Sequence, residues 1–242
     1  MISQEDIALL SEAQISCAIS FDYLGDVSHS FPNMKNIPLV CFNDIGNHLE
    51  QVYTVHSNEE KGIRMAVEYL LQHHHTRIGL LSVQETPGNL CTHLRCKAFW
   101  DITESLGIRN SCAVRFFSNE LPPQEAVGVL LKKKCTALIA MGENSAPAVI
   151  YGLSLLGKRI PKDISLITHE TQYSRFYIPR LTTIAQDFPA LAEASFDLLE
   201  KMMLGEKDLS DREIDYKLIV RESVRDLFQN DSSSLAFPGK EP

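Results

Sequence analysis

Residues 136–186 read TALIAMGENSAPAVIYGLSLLGKRIPKDISLITHETQYSRFYIPRLTTIAQ, and this stretch decides the fold. An apolar run at 137–141 ends in Gly-Glu-Asn, and apolar residues then recur at helical spacing as far as Gly157. A glycine followed four residues later by proline is typical of a helix end. Two further apolar runs follow at 164–167 and 181–185. Their order predicts a strand–helix–strand unit of an open parallel sheet, which binds ligands at the carboxyl ends of its strands.

Apolar runs and helical patterns alternate along the rest of the chain in the same way. Strands are expected at 17–21, 38–42, 53–56, 78–82, 113–117 and 216–221, and helices at 4–13, 58–73 and 123–134, before residue 106 and after residue 187. Such alternation predicts an α/β fold with parallel sheets. The polar residues 228–242 are expected to form a tail.

Composition and charge exclude several classes of protein. The chain has 242 residues and a formal net charge of −8, which argues against nucleic-acid binding by this polypeptide. Its one basic run, 132–134, follows a helical pattern and suits a helix C-terminus. There is no apolar run of membrane-spanning length and no secretory signal pattern. Six cysteines without paired spacing indicate buried thiols in a reducing compartment, so a cytoplasmic location is expected.

Five motifs in collinear order carry a resemblance to a known family. They are VEYLL at 67–71, HTRIG at 75–79, RCKAF at 95–99, IPKDISLI at 160–167 and YIPRLTTIAQ at 177–186. In this order they resemble the effector-binding core of the LacI/GalR family of transcription regulators. The resemblance covers nearly the whole chain, from about residue 6 to residue 225.

The resemblance implies a two-lobed, periplasmic-binding-protein-like fold with ligand in the cleft between the lobes. It implies that residues 1–81 and 187–217 form an N-terminal lobe and residues 82–186 and 218–227 a C-terminal lobe. Complete members have a DNA-binding headpiece and a first strand–helix–strand before the position that matches residue 1. The N-terminal lobe is therefore expected to be incomplete, and DNA is expected as a partner only through a headpiece that this chain lacks.

The same resemblance implies where ligand binds. The expected ligand-binding residues are Arg95, Glu170, Asn43, Gly142, Glu143, Ser57, Gln186, Phe188 and Phe117. A guanidinium and a carboxylate suit the bidentate recognition of vicinal hydroxyls, and an aromatic ring suits the C–H face of a sugar. A homodimer is expected as well, with Pro147, Ile150 and Tyr177 at its interface.

Each assignment has a structural alternative. Arg95 could form a salt bridge at the lobe surface, and Ser57 with the next residue could cap a helix. Phe117 could pack in the core, and Gln186 and Phe188 could pack at a lobe crossing. The run of three histidines at 73–75 invites a metal site, but successive helix residues splay about 100° apart and rarely converge on one ion.

Enzyme signals are weak, since no phosphate loop, dinucleotide fingerprint, nucleophile elbow or zinc-protease motif is present. No catalytic residue, cofactor, metal or membrane partner is expected. The sequence predicts a ligand-sensing, dimerising regulator core that binds a sugar-like molecule. The alternative is a free-standing sugar-binding protein of the periplasmic type, and a small α/β enzyme is a third reading that only the fold favours.

Overall fold

The computed structural model describes residues 16–21, 37–43, 52–83, 91–108, 111–116, 122–142 and 145–228. Strands are β1 (Ala18–Phe21), β2 (Leu39–Phe42), β3 (Val52–Ser57), β4 (Ile78–Val83), β5 (Cys112–Phe116), β6 (Ala137–Met141), β7 (Ser165–His169), β8 (Thr182–Ala185), β9 (Arg212–Ile214) and β10 (Lys217–Ile219). Helices are α1 (Glu59–Gln72), α2 (Cys91–Ser105), α3 (Pro123–Lys132), α4 (Ser145–Leu155) and α5 (Phe188–Met203). The helix expected at 4–13 lies outside the described residues, as does the expected tail, 228–242, apart from its first residue.

The strands form two sheets, as an α/β fold with parallel sheets requires. A four-stranded sheet has the order β1-β2-β3-β9, and a six-stranded sheet has the order β10-β8-β7-β6-β4-β5. Within the described strands every pairing is parallel except that of β10 with β8. The chain passes between the sheets after β3, after β8 and after β9.

Helices cover both faces of the six-stranded sheet. On one face α1 and α2 pack against apolar residues of β4, β6 and β7, with Phe99 and Ile102 fully buried. On the other face α3 and α4 bury Val127, Leu130 and Val149 against the same strands. The smaller sheet packs on α5. Because strands buried on both faces are apolar along their whole length, β6 reads as a continuous apolar run.

The expected division of the N-terminal lobe needs a correction. Helix α1 buries Ile63, Val67 and Leu70 in the core of the six-stranded sheet, and β4 is a strand of that sheet. The boundary expected between residues 81 and 82 therefore falls inside β4, and residues 59–81 lie with the second lobe. The strand-like character of β4 was clear from its sequence. The sheet to which β4 belongs is decided by its pairing with β5 and β6, and the periodicity of the sequence does not reveal that pairing.

Candidate functional site

A cleft of about 580 Å³ lies at the carboxyl ends of the six-stranded sheet, beside the segment that crosses to the smaller sheet. Its described lining consists of Pro147, His169, Glu170, Thr171, Gln172, Tyr173, Tyr177, Gln186 and Phe188. Parallel strands end at this edge because their crossover helices return to the opposite one, so side chains from distant parts of the sequence meet here. Three of the expected ligand-binding residues, Glu170, Gln186 and Phe188, are brought together.

Glu170 follows β7 directly and presents its carboxylate in the cleft. Its two oxygens accept hydrogen bonds from Arg221, with Nη1–Oε2 and Nη2–Oε1 distances of 2.8 and 2.9 Å, and Thr183 donates a further short hydrogen bond. Partial burial raises the pKa of Glu170, but the hydrogen bonds from Arg221 and Thr183 outweigh it and hold the pKa below its ordinary value. The carboxylate is thus ionised, half-buried and rigidly oriented.

His169 is a cleft residue that the sequence reading did not select as a ligand contact. Burial, reinforced by the nearby charge of Arg95, lowers its pKa to about 4, so the imidazole is neutral near pH 7. Its ring nitrogens make no hydrogen bond to any residue within the described part of the chain. A neutral imidazole offers one donor and one acceptor. Its position at the end of a strand, just before Glu170, was the signal that could have identified it.

Gln186 and Ser57 join two of the segments that cross between the sheets. The Gln186 amide donates to Ser57 Oγ over 2.8 Å, and the Ser57 amide donates to Asn43 Oδ1 over 3.3 Å. Asn43 adopts a φ of 57°, a left-handed conformation that asparagine tolerates better than most residues. Asn58, not Ser57, caps α1, because its side chain accepts from the Lys61 amide over 2.7 Å.

Ion pairs and one backbone hydrogen bond tie the crossing segments further. Lys217 pairs with Asp187 over 2.5 Å, and Lys61 pairs with Asp215 over 2.5 Å. The Asn58 amide donates to the Ile214 carbonyl. These contacts connect the three segments that cross between the sheets into one strip of crossing contacts beside the cleft. A change in the angle between the two sheets would therefore strain several of these contacts together.

Phe188 begins α5 and supplies an aromatic face. Its side chain is 58% exposed, and its ring stacks on that of Phe42 with centroids 6.3 Å apart. Tyr173 lines the same cleft and is 60% exposed. Large exposed rings beside polar groups are a usual feature of sites that bind amphipathic molecules.

Arg95 is placed differently from the expectation that it faces ligand. It lies on α2, is only 8% exposed, and donates two hydrogen bonds to Glu59, with Nε–Oε2 and Nη2–Oε1 distances of 2.7 and 2.9 Å. Tyr216 donates to the same carboxylate over 3.0 Å. Neither Arg95 nor Glu59 lines the cleft, and His169 stands next to them, its ring centroid 6.0 Å from that of Tyr216. The structure thus contains the salt bridge that was the alternative expected for Arg95, but the pair is buried and does not lie at the lobe surface.

The other expected site residues lie as follows. Gly142 directly follows β6 with a φ of 116°, its carbonyl accepts hydrogen bonds from Ser145, and it does not line the cleft. Glu143 and Phe117 lie outside the described residues. Pro147 and Tyr177, expected at a dimer contact, line the cleft, whereas Ile150 is half-buried against the core beneath α4.

The three consecutive histidines point to separate partners. His73 bonds to the Tyr69 carbonyl, His74 to Asp226, and His75 to Thr136 and the Arg225 carbonyl. In the described part of the chain, no group of three or more histidine, cysteine or acidic residues could hold a metal ion. None of the described helices has the length and apolar character needed to cross a bilayer.

Comparison with known proteins places this geometry among binding domains. Residues 67–224 match the model of a family described as a periplasmic binding protein-like domain. The HTH-type transcriptional repressor PurR of Pectobacterium atrosepticum is 29% identical over 220 residues, which cover 88% of this chain and 62% of that protein. The chain therefore spans about 62% of the length of this curated relative.

Two solved structures share the fold. A LacI transcriptional regulator from Rhodococcus species is 22% identical, with a TM-score of 0.79 over 93% of this chain and 84% of that one. A LacI family transcriptional regulator from Enterococcus faecium, solved with bound ribose, is also 22% identical, with a TM-score of 0.74 over 92% of this chain and 84% of that one. At this identity the likeness concerns the fold.

Proposed function

This chain belongs to the periplasmic binding protein-like domain family, and from that premise we propose that it is a LacI/GalR-type domain whose cleft binds a small, uncharged, sugar-like molecule. The observation that carries the proposal is the cleft of about 580 Å³, whose lining includes an oriented carboxylate, a neutral imidazole and two exposed aromatic rings. A volume of this size suits a monosaccharide or a nucleoside.

Hydrogen bonding in the cleft suits vicinal hydroxyl groups. Glu170 keeps one acceptor lone pair, on Oε1, that Arg221 and Thr183 do not use, and His169 provides one donor and one acceptor. Gln186 also lines the cleft, and because its amide nitrogen donates to Ser57, its amide oxygen is left as an acceptor. A sugar presents alternating donors and acceptors around a ring with an apolar C–H face. Phe188 and Tyr173 supply the surface on which that face would pack.

Charge favours an uncharged ligand over a phosphate or a carboxylic acid. Among the described residues that line the cleft there is no lysine or arginine, although the charges of Arg221 and Arg175 act on Glu170 and that of Arg95 acts on His169. Arg221 and Arg95 are occupied by carboxylates of this chain, Glu170 and Glu59. An anionic ligand that used either of these two groups would have to displace its partner, and any anionic ligand would lie near the ionised Glu170, so its binding carries an electrostatic penalty.

Ligand in the cleft would act through the strip of crossing contacts. Ser57, Gln186 and Asp187 lie where β3 and β8 leave their sheets, so a ligand that touches Gln186 and Phe188 favours one arrangement of the lobes. In a dimeric regulator that population shift would pass to an attached DNA-binding module. The proposed role is therefore the ligand-sensing and dimerising core of a cytoplasmic transcription regulator. The ribose bound to the Enterococcus faecium neighbour supports a pentose as the first compound to test.

Thermal-shift measurements followed by titration calorimetry test the proposal. The panel contains ribose, other pentoses and hexoses, nucleosides, and ribose 5-phosphate as the matched anion. We expect a saturable rise in melting temperature with one neutral sugar or nucleoside, and at least tenfold weaker binding of the phosphate. Tighter binding of ribose 5-phosphate than of every neutral compound would overturn the charge argument, and a panel without any saturable shift would overturn the sugar assignment.

A further inference from the structure

Cys112 and Cys135 bring their sulfur atoms to 3.4 Å from each other at the edge of the six-stranded sheet. Cys112 is the first residue of β5 and is half-buried. Cys135 lies two residues before β6 and is 4% exposed. This contact lies between residues 23 positions apart in sequence, without the close spacing by which reactive dithiols are usually recognised.

Gly79 makes the approach of the two thiols possible. It pairs with Cys112 in the ladder between β4 and β5 and has no side chain to separate the neighbouring strands. A Cβ atom at Gly79 would lie 3.2 Å from Cys135 Sγ and 2.9 Å from a methyl group of Leu138. The space that this missing side chain leaves is filled by the Cys135 thiol, which reaches across β4 to Cys112.

The two thiols differ chemically. A hydrogen bond from Cys135 lowers the pKa of Cys112, against the effect of burial and with help from the charge of Lys133. The same interaction and burial raise the pKa of Cys135. Cys112 is thus the more accessible and more acidic sulfur, and Cys135 holds a proton close beside it. Reactive cysteines are those with greater thiolate character and exposure.

We propose that Cys112 and Cys135 form a reversible dithiol–disulfide site that hydrogen peroxide oxidises. In the first step the Cys112 thiolate attacks one peroxide oxygen, the O–O bond breaks, and the departing hydroxide takes a proton to become water. Cys112 is then a sulfenic acid. In the second step the Cys135 sulfur attacks the Cys112 sulfur, the S–O bond breaks, and the hydroxide that leaves takes the Cys135 proton. Two thiols and one peroxide yield one disulfide and two waters, and two electrons pass from sulfur to oxygen.

Closure requires a small movement. A disulfide bond is about 2.05 Å long, so the sulfur atoms must approach by about 1.4 Å from their separation of 3.4 Å. Both cysteines lie at the amino ends of their strands, whereas the cleft lies at the carboxyl ends. Five residues of strand separate the two ends by about 16 Å. Oxidation is therefore expected to change the stability of the six-stranded sheet at its β5 edge and to leave the structure of the ligand cleft unchanged.

Intact-mass and peptide-mapping measurements on the reduced 242-residue protein test the site. After treatment with one equivalent of hydrogen peroxide and alkylation of free thiols, we expect a loss of two hydrogen atoms and a cross-linked peptide pair containing Cys112 and Cys135. Dithiothreitol should reduce this disulfide and restore both thiols. Cys135→Ser should stop at a Cys112 sulfenic acid that dimedone traps, and Cys112→Ser should form no disulfide at Cys135. Cys17→Ser, at a half-buried cysteine of the other sheet, should behave like the unsubstituted protein.

Wild-type peptide mapping alone decides the outcome if a substituted protein fails to fold. Peroxide that leaves Cys112 reduced, or that links a different pair such as Cys91 and Cys96, would overturn the proposal. The same holds if Cys112 passes directly to a sulfinic acid while Cys135 stays reduced. These outcomes are independent of ligand binding, because the experiment contains no ligand.

Discussion

The carboxylate of Glu59 holds the guanidinium of Arg95 through two hydrogen bonds of 2.7 and 2.9 Å, and both side chains are more than nine-tenths buried. Glu59 is the first residue of α1, where an acidic group is also favoured by the helix dipole, and Arg95 lies on α2. The pair joins the two helices directly beside the first crossing between the sheets. Arg95, which was expected to bind ligand, therefore binds a carboxylate of this chain instead.

Loss of the Glu59 charge should destabilise the fold strongly. Glu59→Gln retains the size of the side chain but leaves Arg95 charged and buried, at a cost of about 3–5 kcal/mol in the free energy of unfolding. Glu60→Gln, one residue further along the same helix turn, removes an exposed pair with Arg64 and should change stability by less than about 0.5 kcal/mol. Chemical denaturation measures both. Equal stabilities of the two variants would show that the buried pair is not needed for the fold.

Gly62 is predicted to be required for the position of Tyr216. A Cβ atom at Gly62 would lie 2.7 Å from Tyr216 Cδ2, so Gly62→Ala should push the ring away and break its hydrogen bond to Glu59. The expected loss is about 1–3 kcal/mol, as for other overpacked sites. Gly128→Ala on α3 meets no atom within 4 Å and should stabilise by up to about 1 kcal/mol. Opposite signs in thermal unfolding would confirm the contact, and a stabilised Gly62→Ala protein would refute it.

Stability should fall as pH decreases from about 6.5 toward 4. His75 and His169 each have a folded-state pKa of about 4, chiefly because burial disfavours the charged ring, against 6.5 when unfolded. Between these values the unfolded chain binds more protons, so stability rises with pH, by up to about 1.4 kcal/mol per pH unit for each histidine. His169→Asn should remove about half of that slope. A slope unaffected by His169→Asn would contradict the neutral-imidazole assignment.

Phe188 should contribute more to ligand binding than to the stability of the fold, since its ring is more than half exposed. Phe188→Ala removes a ring that lines the cleft, and we expect about fivefold weaker binding of the sugar or nucleoside found in the panel, near 1 kcal/mol. Phe196→Ala is the matched control, because Phe196 lies on the same helix, is 65% exposed, and does not line the cleft. Titration calorimetry on both variants makes the comparison. An equal loss in the two would place the ligand elsewhere.

A concentration-dependent homodimer is predicted through α4 and the corner after β7. Ile178 and Phe176 are exposed at this corner and Tyr151 is exposed on α4, and burial of such residues is a usual driving force of dimer contacts. Ile178→Asp should shift the protein toward monomer, whereas Leu204→Asp, at an exposed apolar residue beyond α5, should not. Tyr177→Asp is less informative because Tyr177 also lines the cleft. Sedimentation showing a monomer at high micromolar concentration would favour a free-standing binding protein.

Sequence alone determined the order and type of the secondary elements. Short apolar runs such as 137–141, which are bounded by turn residues, are typical of strands buried on both faces, and their alternation with helical patterns indicates an α/β fold with parallel sheets. Polar residues directly after those runs placed Glu170 at a cleft, because the ends of parallel strands share one edge. These are local consequences of periodicity, so they could be read without knowledge of the pairing.

Only the tertiary structure decided what the charged and aromatic groups contact. The partner of Arg95 lies 36 residues away and the hydroxyl of Tyr216 reaches Glu59 across 157 residues, while Arg221 reaches Glu170 across 51. The same holds for β4, which joined the six-stranded sheet by pairing with strands that follow it, and for the neutral state of His169, which burial imposes. A side chain's charge state and partner depend on which distant residues exclude water around it, and that is a property of packing rather than of sequence order.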